Sequence, residues 1–430
     1  DPFSVEAIAD FLTGAAPILG ISCMGNLLPF TLIAMRSYKE AHPEHTIILG
    51  GVGPTAVERH IIERFPWIDI VARGEGELTV PDLVDCLKRN GDLAGVKGIT
   101  FRRDGAVIET PDRERIQDLD SIGMPAFHAV DLSRYQGYGM VTSRGCPYPC
   151  TFCSVAPIWG RSPAFRSIDD IIAEMRLLNR LAGVDLFLLQ DEYFVCSRER
   201  VTAFCRAVRD TGMNIKWKCF GRVNLTDRDT MREMARSGCI EIRYGIESGA
   251  DRILKRVRKC FTVAQALATV PDAIATFPHV DLFYIWGFPF ETEEDFQQSL
   301  FQMISFRMMG ARILPSLLSL LPQTQLFREL CPDGDTSRLE FCPELFPEYM
   351  ITGHEVRRSA RVEVAPAHRA YFEFVRTHPD IFPGFFHIDL EGNILPKLEA
   401  LQTFGFYPPE PGNPGGDTLD ETTATIVGKA

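Results

Sequence analysis

Three cysteines at close spacing are the residues of this chain whose types and positions most clearly indicate chemistry. They are Cys146, Cys150 and Cys153, within the segment Ser143-Arg-Gly-Cys-Pro-Tyr-Pro-Cys-Thr-Phe-Cys-Ser154. Three thiolates on one short loop can hold three corners of a cubic cluster, whereas a [4Fe–4S] cluster normally takes four thiolates. The spacing therefore predicts a [4Fe–4S] cluster whose fourth iron is open to a small molecule.

The three cysteines also have two other interpretations. They could be three ligands of a zinc ion, or buried side chains that act as small apolar groups. Structural zinc ligands usually come as two C-x2-C pairs, and the sequence has no second C-x2-C pair and no Cys/His pair. The downstream chain predicts a barrel that needs such a loop, which favours the cluster.

Residues 1–95 alternate short apolar runs with amphipathic segments, a pattern that predicts a parallel α/β sheet. The predicted strands are Ile18–Ser22, Thr46–Leu49 and Ile68–Ala72, and each ends in a turn of small residues. Ligands of such sheets bind outside the carboxyl ends of the strands. Glycines in these turns permit positive φ and let backbone amides approach a ligand, although tight turns alone would also use them.

A second series of strands and helices runs from Met140 to about Pro322, at the lengths typical of a parallel barrel. In such barrels chemistry collects at the carboxyl ends of the strands. The cysteine loop follows the first strand, and acidic groups at the other strand ends need a cationic partner. The six predicted strands are Gly139–Thr142, Leu186–Gln190, Lys216–Gly221, Ile240–Gly245, Asp281–Trp286 and Ile313–Leu320. The polar residues near the strand ends are Gln190, Asp191, Glu192, Arg222 and Glu247.

The C-x3-C-x2-C spacing, with an aromatic residue just before the third cysteine, resembles the signature of the radical S-adenosylmethionine (SAM) superfamily. The resemblance implies that the open iron chelates SAM and that an electron from the cluster cleaves it to methionine and a 5′-deoxyadenosyl radical. It also implies that Asp191 or Glu192 holds the amino group of SAM and that Arg222 holds its carboxylate. A Glu192–Arg222 salt bridge without a ligand is the alternative. The other residues expected at the SAM site are Phe152, Gln190 and Glu247.

The turns after the N-terminal strands resemble those of the cobalamin-binding domain that precedes the barrel in many radical SAM enzymes. They read Gly-Ile-Ser, Gly-Gly-x-Gly-Pro-Thr and Gly-Glu-Gly-Glu-Leu-Thr along the chain. The resemblance implies a bound cobalamin, with a ligand-free sheet as the alternative. The residues expected to contact cobalamin are Ser22, Gly50, Gly51, Gly53, Pro54, Thr55, Gly74, Glu75, Gly76 and Glu77.

The N-terminal domain departs from that family in two respects. The family usually has a further strand–helix–strand before the point where Asp1 begins, so we expect either a missing upstream segment or a degenerate domain. The chain also has no Asp-x-His-x-x-Gly motif, so a histidine ligand to cobalt from that motif is not supported.

Composition places the chain among ordinary globular proteins and argues against some partners. The 430 residues are 45% hydrophobic, enough for the large cores of two or three domains. A net charge of −12 without a run of basic residues argues against nucleic acid as a partner. No apolar run reaches the roughly 18 to 20 residues that span a bilayer. Because the twelve cysteines are scattered and no secretory signal is evident, we predict a soluble protein of the reducing cytoplasm.

Together these features predict an α/β protein with five segments. They are a Rossmann-like parallel sheet (1–95), a linker that begins with a small hairpin (96–139), a partial (β/α)6 TIM-type barrel (140–325), a small helical C-terminal cap rich in aromatic residues (326–407) and a disordered tail (408–430). Within the barrel, Ser167 and Thr292 are predicted to cap the helices that follow them.

The favoured function is SAM cleavage with cobalamin-dependent methylation of an unactivated carbon of a small metabolite. A cobalamin-domain cyclase or rearranging enzyme is the alternative, and a methylthiotransferase or a non-enzymatic cluster scaffold is less favoured. The resemblance also implies an external electron donor of the flavodoxin or ferredoxin type.

Overall fold

The computed structural model describes residues 8, 10–134, 138–342, 344–345 and 369–407. The predicted tail, 408–430, lies wholly outside these residues. No helix in the described part of the chain combines the length and low polarity that crossing a bilayer requires.

The N-terminal domain is built on a five-stranded sheet whose strands follow their order in the sequence. The strands are β1 (Ile18–Ser22), β2 (Thr46–Gly50), β3 (Ile70–Ala72), β4 (Ile99–Arg103) and β5 (Ala106–Glu109). The first three strands pair in parallel. The centres of β2 and β3 are buried apolar runs such as Ile47-Ile48-Leu49, as expected for strands covered on both faces, whereas the edge strand β1 is only partly buried. The helices of this domain are α1 (Leu28–Ala41), α2 (Val52–Thr55), α3 (Glu58–Arg64) and α4 (Gly76–Lys88).

The hairpin that the sequence analysis assigned to the linker belongs to this sheet. Strand β4 pairs antiparallel with β3, with Ile70 opposite Phe101 and Ala72 opposite Ile99. Without the hairpin, β3 would be an edge strand with unpaired backbone amides. The N-terminal sheet is therefore mixed, and its domain extends to about residue 109 instead of ending at 95.

The second domain contains six parallel strands, each paired with its neighbour, in an open sheet. This arrangement confirms the partial barrel, and the described strands do not close it. Two short strands, β7 (Ser143–Arg144) and β8 (Ala164–Phe165), form a separate ladder that frames the cysteine loop. The six sheet strands are β6 (Tyr138–Met140), β9 (Leu186–Leu189), β10 (Lys216–Gly221), β11 (Cys239–Glu247), β12 (His279–Trp286) and β13 (Arg312–Leu317).

Helices that begin with side-chain caps follow most of the strands of the second sheet. Ser167 and Thr292 cap their helices as the sequence predicted, and Thr262 forms a further capping box with Gln265. The helices are α5 (Val155–Trp159), α6 (Ile168–Ala182), α7 (Arg198–Asp210), α8 (Arg228–Arg236), α9 (Asp251–Arg256), α10 (Val263–Thr276), α11 (Glu293–Met308) and α12 (Gln325–Leu330).

The C-terminal segment packs against both domains and is not a cap on the barrel alone. Helix α13 (Arg369–Arg376) contributes Val375 to the core of the N-terminal domain, together with Phe382 and Phe385. Helix α14 (Leu395–Thr403) contributes to the barrel core, where the hydroxyl of Tyr407 accepts a 3.0 Å hydrogen bond from the Trp286 indole. The aromatic residues predicted near the C-terminus are thus mainly core. Strands β14 (Glu340–Phe341) and β15 (Phe386–His387) pair antiparallel within this segment.

Candidate active site

The cysteine loop is anchored at its start by a buried carboxylate. Oδ1 of Asp191, at the end of β9, accepts hydrogen bonds from the Thr142 amide and hydroxyl at 2.9 Å and from the Ser143 hydroxyl at 2.6 Å. Burial raises the pKa of Asp191 to about 6. Asp191 therefore fixes where the loop leaves the barrel, and its side chain is fully buried.

The middle of the cysteine loop is held by backbone hydrogen bonds from two later segments of the barrel. The Thr151 amide donates to the Val257 carbonyl at 3.0 Å, and the Thr151 carbonyl accepts from the Leu326 amide at 2.8 Å. The half-buried ring of Phe152 packs against Phe288, with ring centroids 6.3 Å apart. These contacts turn the loop back over the barrel mouth.

The three cysteine thiols are half-buried and free of disulfide bonds. Burial raises the pKa of Cys146 and raises that of Cys153 to about 11, so both thiols are protonated at neutral pH without a metal. A metal centre supplies the positive charge that converts such thiols into thiolate ligands. The loop is thus suited to hold a metal group and unsuited to act as a free nucleophile.

The spacing of the sulfur atoms separates the cluster from the zinc interpretation. The Sγ atoms of Cys146, Cys150 and Cys153 do not all lie within 4.8 Å of one another. Ligands of one tetrahedral zinc ion at Zn–S distances of about 2.3 Å would be only about 3.8 Å apart. A cubic cluster spreads its thiolates farther apart because each binds a different iron. The residues present therefore fit a [4Fe–4S] cluster.

Arg222 lies beside the cysteine loop and lacks a carboxylate partner. Its guanidinium stacks on the ring of Tyr148, 3.5 Å from the centroid, and donates through Nη2 to the carbonyl of Lys259. The Nε atom is buried and has no hydrogen-bond partner. The predicted alternative, a Glu192–Arg222 salt bridge, is not formed between these two described residues. The unpartnered Nε fits an anionic ligand such as the SAM carboxylate.

The residues expected to bind SAM at the end of the second barrel strand, β9, differ in exposure and in their partners. Asp191 is used as the anchor described above, with Oδ2 buried and unpartnered. Glu192 and Gln190 are exposed at the barrel mouth. Although Glu192 is exposed, partial desolvation of its carboxyl group raises its pKa. Of the two carboxylates predicted for the amino group of SAM, Glu192 is therefore the accessible one.

Glu247 is buried at the end of β11 and pairs with a lysine that the sequence analysis did not single out. Its Oε1 lies 2.6 Å from Nζ of Lys259, which is also buried. The bulge between Gly245 and Glu247 directs the carboxylate toward the cysteine loop side of the barrel. No spacing pattern marked Lys259, because its partner lies twelve residues away across a helix.

The expected cobalamin residues lie at the carboxyl edge of the N-terminal sheet, but two of the glycines serve another purpose. A Cβ at Gly51 would lie 2.8 Å from the Cys23 carbonyl oxygen, and a Cβ at Gly53 would lie 2.6 Å from the carbonyl carbon of Met24. These glycines allow the turn after β2 to pack on the turn after β1. Gly74 faces open space with φ of 69°, as an exposed turn requires. The others, Ser22, Gly50, Pro54, Thr55 and Gly76, lie in the same three turns.

The two carboxylates expected at cobalamin bind the cysteine loop. Arg144 forms ion pairs with Glu75, at 2.7 Å, and with Glu77, and Glu75 also accepts from the Ile116 amide. The charge of Arg144, which directly precedes the loop glycine, holds the pKa of Glu77 below its usual value despite the opposing effect of burial. Both carboxylates therefore join the two domains instead of facing a ligand.

A second contact joins the same two edges. The side-chain amide of Gln323, in the segment after β13, donates to the Thr55 carbonyl at 2.8 Å. Parallel sheets bind ligands beyond the carboxyl ends of their strands. Because the carboxyl edges of both sheets meet through these contacts, ligands bound at the two edges would lie close to each other.

The N-terminal edge also carries an exposed apolar rim formed by Met24, Leu78 and Val80. Their exposed fractions are 57%, 50% and 43%. Among the described residues up to 109, the one other large hydrophobic residue with such exposure is Phe11. Met24 follows β1, and Leu78 and Val80 lie near the start of α4, which follows β3. Exposed apolar groups at the carboxyl edge of a parallel sheet suit a large planar ligand such as the corrin ring of cobalamin. The residues present therefore fit cobalamin without supplying a histidine motif for it.

We expect Leu78→Asp to weaken cobalamin binding by at least about tenfold, because it removes apolar contact area and places a charge at the rim. The change suits the fold, since Leu78 lies in the first turn of α4, where an acidic side chain is favourable. Leu181→Asp, on the exposed surface of α6, is the matched control. Cobalamin retained after reconstitution is measured by absorbance, and equal retention in both variants would contradict a corrin at this rim.

Comparison with known proteins identifies a known domain at the cysteine loop and another at the N-terminal sheet. The profile described as the Radical SAM superfamily matches residues 140–303, and the profile described as the B12 binding domain matches residues 2–84. A solved structure of the radical SAM methyltransferase TsrM from Kitasatospora setae superposes with a TM-score of 0.69 at 15% identity, covering 92% of this chain and 80% of that one. The cobalamin-dependent SAM radical enzyme OxsB superposes with a TM-score of 0.60 at 21% identity, covering 70% and 45%. These similarities establish the fold.

Curated relatives share more sequence over shorter regions. An uncharacterized methyltransferase of Pyrococcus horikoshii is 29% identical over 66% of this chain and 63% of its own length. An anaerobic magnesium-protoporphyrin IX monomethyl ester cyclase of Synechocystis is 32% identical over 62% and 55%. The cytidylyl-2-hydroxyethylphosphonate methyltransferase of Streptomyces wedmorensis is 27% identical over 57% and 53%. The matches thus span about half to two-thirds of these relatives.

The cysteine loop, the barrel strands β9 to β12 and the glycine-rich N-terminal edge lie within the regions that the two profiles match. The chain thus combines a radical SAM domain with a B12-binding domain that precedes it.

Proposed function

We propose that this protein cleaves SAM at a [4Fe–4S] cluster and methylates an unactivated carbon of a small metabolite with the help of cobalamin. The observation that carries the proposal is the contact between the two carboxyl edges, where Arg144 next to the cysteine loop binds Glu75 and Glu77 of the B12-binding domain. A methyl carrier and a radical source must both reach one substrate carbon. Joined edges supply that proximity.

Each group of side chains has a part in this function. Cys146, Cys150 and Cys153 bind the cluster, and Asp191 fixes the loop that carries them. Arg222 orients the SAM carboxylate by charge-assisted hydrogen bonds, and Glu192 is the accessible carboxylate for its amino group. When bound, the cluster supplies the electron for SAM cleavage and cobalamin carries the methyl group.

The partners follow from the same chemistry. We infer an external electron donor of the flavodoxin or ferredoxin type, because the cluster must be reduced for each cleavage. We also infer a reducing compartment such as the cytoplasm, which agrees with the twelve free cysteines of the chain. The substrate is inferred to be a small molecule that fits between the two edges.

Methyl transfer is supported by the relatives, since two of the three curated relatives and the TsrM structure are named as methyltransferases. The test is the ratio of by-products during turnover with cobalamin, reductant and substrate supplied. One SAM would lose its methyl group to cobalamin and give S-adenosylhomocysteine. A second would give methionine and, after hydrogen is removed from the substrate, 5′-deoxyadenosine. We therefore expect the two adenosyl by-products in near-equal amounts.

A cyclase or rearranging reaction is the second candidate, favoured by the 32% identity with the cyclase of Synechocystis. Such a reaction does not transfer a methyl group, so it would produce 5′-deoxyadenosine without S-adenosylhomocysteine. Substrate consumption with that single by-product would overturn methyl transfer and leave SAM cleavage standing. Failure to cleave SAM with a reduced, fully loaded cluster would overturn both.

A further inference from the structure

A buried ion pair lies directly beside the cysteine loop. Nζ of Lys259 and Oε1 of Glu247 are 2.6 Å apart, and each side chain is 9% exposed. The ammonium also lies 5.9 Å from the centroid of the Phe152 ring, inside the cysteine loop. Burying two charges is unfavourable unless they are paired, so removing one partner leaves the other uncompensated. Both charges are therefore needed where the pair lies, at the mouth of the barrel.

The backbone around this pair is strained at three positions. Glu247 has φ of 68°, and the two neighbours of Lys259, Arg258 and Cys260, have φ of 55° and 61°. Side chains other than glycine adopt such left-handed conformations at a conformational cost. Strain of this kind persists where the surrounding structure over-determines it, and it clusters at functional sites. The described chain has seven non-glycine residues with positive φ, and three of them are Glu247 and the two neighbours of Lys259.

The strand below the pair leaves room for it. A Cβ at Gly245 would lie 2.3 Å from Oε1 of Glu247 and 2.9 Å from Nζ of Lys259. Only glycine at this position allows the carboxylate and the ammonium to meet above β11. The backbone of β11 therefore contributes to the same arrangement as the strained segment around Lys259.

Lys259 contacts both Glu247 and Arg222. Its ammonium binds Glu247, and its carbonyl oxygen accepts a hydrogen bond from Nη2 of Arg222. The left-handed residues on either side of Lys259 set the direction of that carbonyl. With Nη2 held in this way, the unpartnered Nε of Arg222 is fixed in orientation.

We propose that Lys259 is a positioning residue that orients Arg222 and Glu247 together toward SAM. The proposal rests on the proposed function, because it requires that this site binds SAM. Lys259 acts through the other two residues: its carbonyl accepts a hydrogen bond from the guanidinium, and its ammonium holds the Glu247 carboxylate in place through the ion pair. Neither role requires contact between Lys259 and the reacting atoms.

The test compares Lys259→Met with Lys255→Met, which removes an exposed lysine four residues earlier on α9. Both variants should bind the iron and sulfide of the wild type after anaerobic reconstitution. Lys259→Met removes the ammonium but keeps the backbone carbonyl that binds Arg222, so the comparison tests the pairing with Glu247. We expect Lys259→Met to weaken SAM binding at least tenfold by equilibrium dialysis and Lys255→Met to leave it unchanged. The SAM-induced change in the electron paramagnetic resonance spectrum of the reduced cluster should require correspondingly more SAM.

A double variant keeps the test valid if Lys259→Met folds poorly. Lys259→Met with Glu247→Gln removes both charges, so no uncompensated buried carboxylate remains, and we expect a melting temperature close to that of the wild type. It should bind SAM no better than Lys259→Met. Wild-type SAM affinity in the folded double variant would overturn this inference alone, whereas a wild-type protein that holds its cluster and does not bind SAM would overturn the proposed function.

Discussion

Alanine in place of Cys146, Cys150 or Cys153 is expected to abolish the iron–sulfur cluster in each single variant. The wild-type chain should hold about four iron and four sulfide ions after anaerobic reconstitution. With only two thiolates left on the loop, two of the four irons would lack a protein ligand. Iron and sulfide assays, with the visible absorbance of the cluster, measure the loss, and SAM cleavage should fall to background.

Matched controls come from cysteines outside the loop. Cys205 and Cys219 are buried in the hydrophobic core of the barrel, where their side chains pack among apolar residues. Cys196 is half-buried near the barrel mouth and is the most stringent control. Cys196→Ala, Cys205→Ala and Cys219→Ala should retain full iron content. If the protein kept its iron after replacement of all three loop cysteines and lost it in a control variant, the assignment of the cluster to the loop cysteines would be wrong.

The barrel strands were predictable because each is a buried apolar run bounded by turns or capped helices. Five of the six predicted strands overlap the observed ones by four residues or more, and β10 agrees at both ends. The first, β6, is short because its chain must turn into the cysteine loop. Periodicity thus locates strands well wherever both faces are buried.

Pairing between strands was less predictable. The hairpin of β4 and β5 was predicted from the sequence. Its pairing with β3 was not, because no local pattern shows that β3 would otherwise be an edge strand. The same holds for the C-terminal segment, because an aromatic run such as that around Phe385 indicates a core without saying which one. Tertiary partners, not local propensities, decide such cases.

The roles of charged residues were predictable only where one residue type has one use. The cysteine spacing predicts the cluster site, and the place of Arg222 at a strand end, together with the family resemblance, predicts its role. Both stay predictions. Asp191, Glu75 and Glu77 were expected to face ligands, yet they bind the chain itself, since a carboxylate binds a hydroxyl or an arginine as readily as a ligand. Lys259 was missed because its partner is set by the fold of β11.

Arg222→Ala is expected to weaken SAM binding by roughly 1.5 to 3 kcal/mol, or about 10- to 150-fold, the contribution of hydrogen bonds to a charged group. The guanidinium is already oriented by Tyr148 and by the Lys259 carbonyl, so little conformational freedom is lost when SAM binds. Iron content should stay at the wild-type level, since Arg222 binds no part of the loop backbone among its described contacts. Equilibrium dialysis with reconstituted protein measures the affinity.

Two further variants define what Arg222 contributes. Arg222→Lys keeps the positive charge but loses the planar fork that binds a carboxylate through two bonds, so we expect an affinity between those of the wild type and Arg222→Ala. Arg232→Ala, on the exposed surface of α8, should bind SAM as the wild type does. Glu192→Ala should weaken SAM binding as well, because Glu192 is the accessible carboxylate at the barrel mouth. Wild-type affinity in both Arg222→Ala and Glu192→Ala would show that these residues support the barrel mouth without binding SAM.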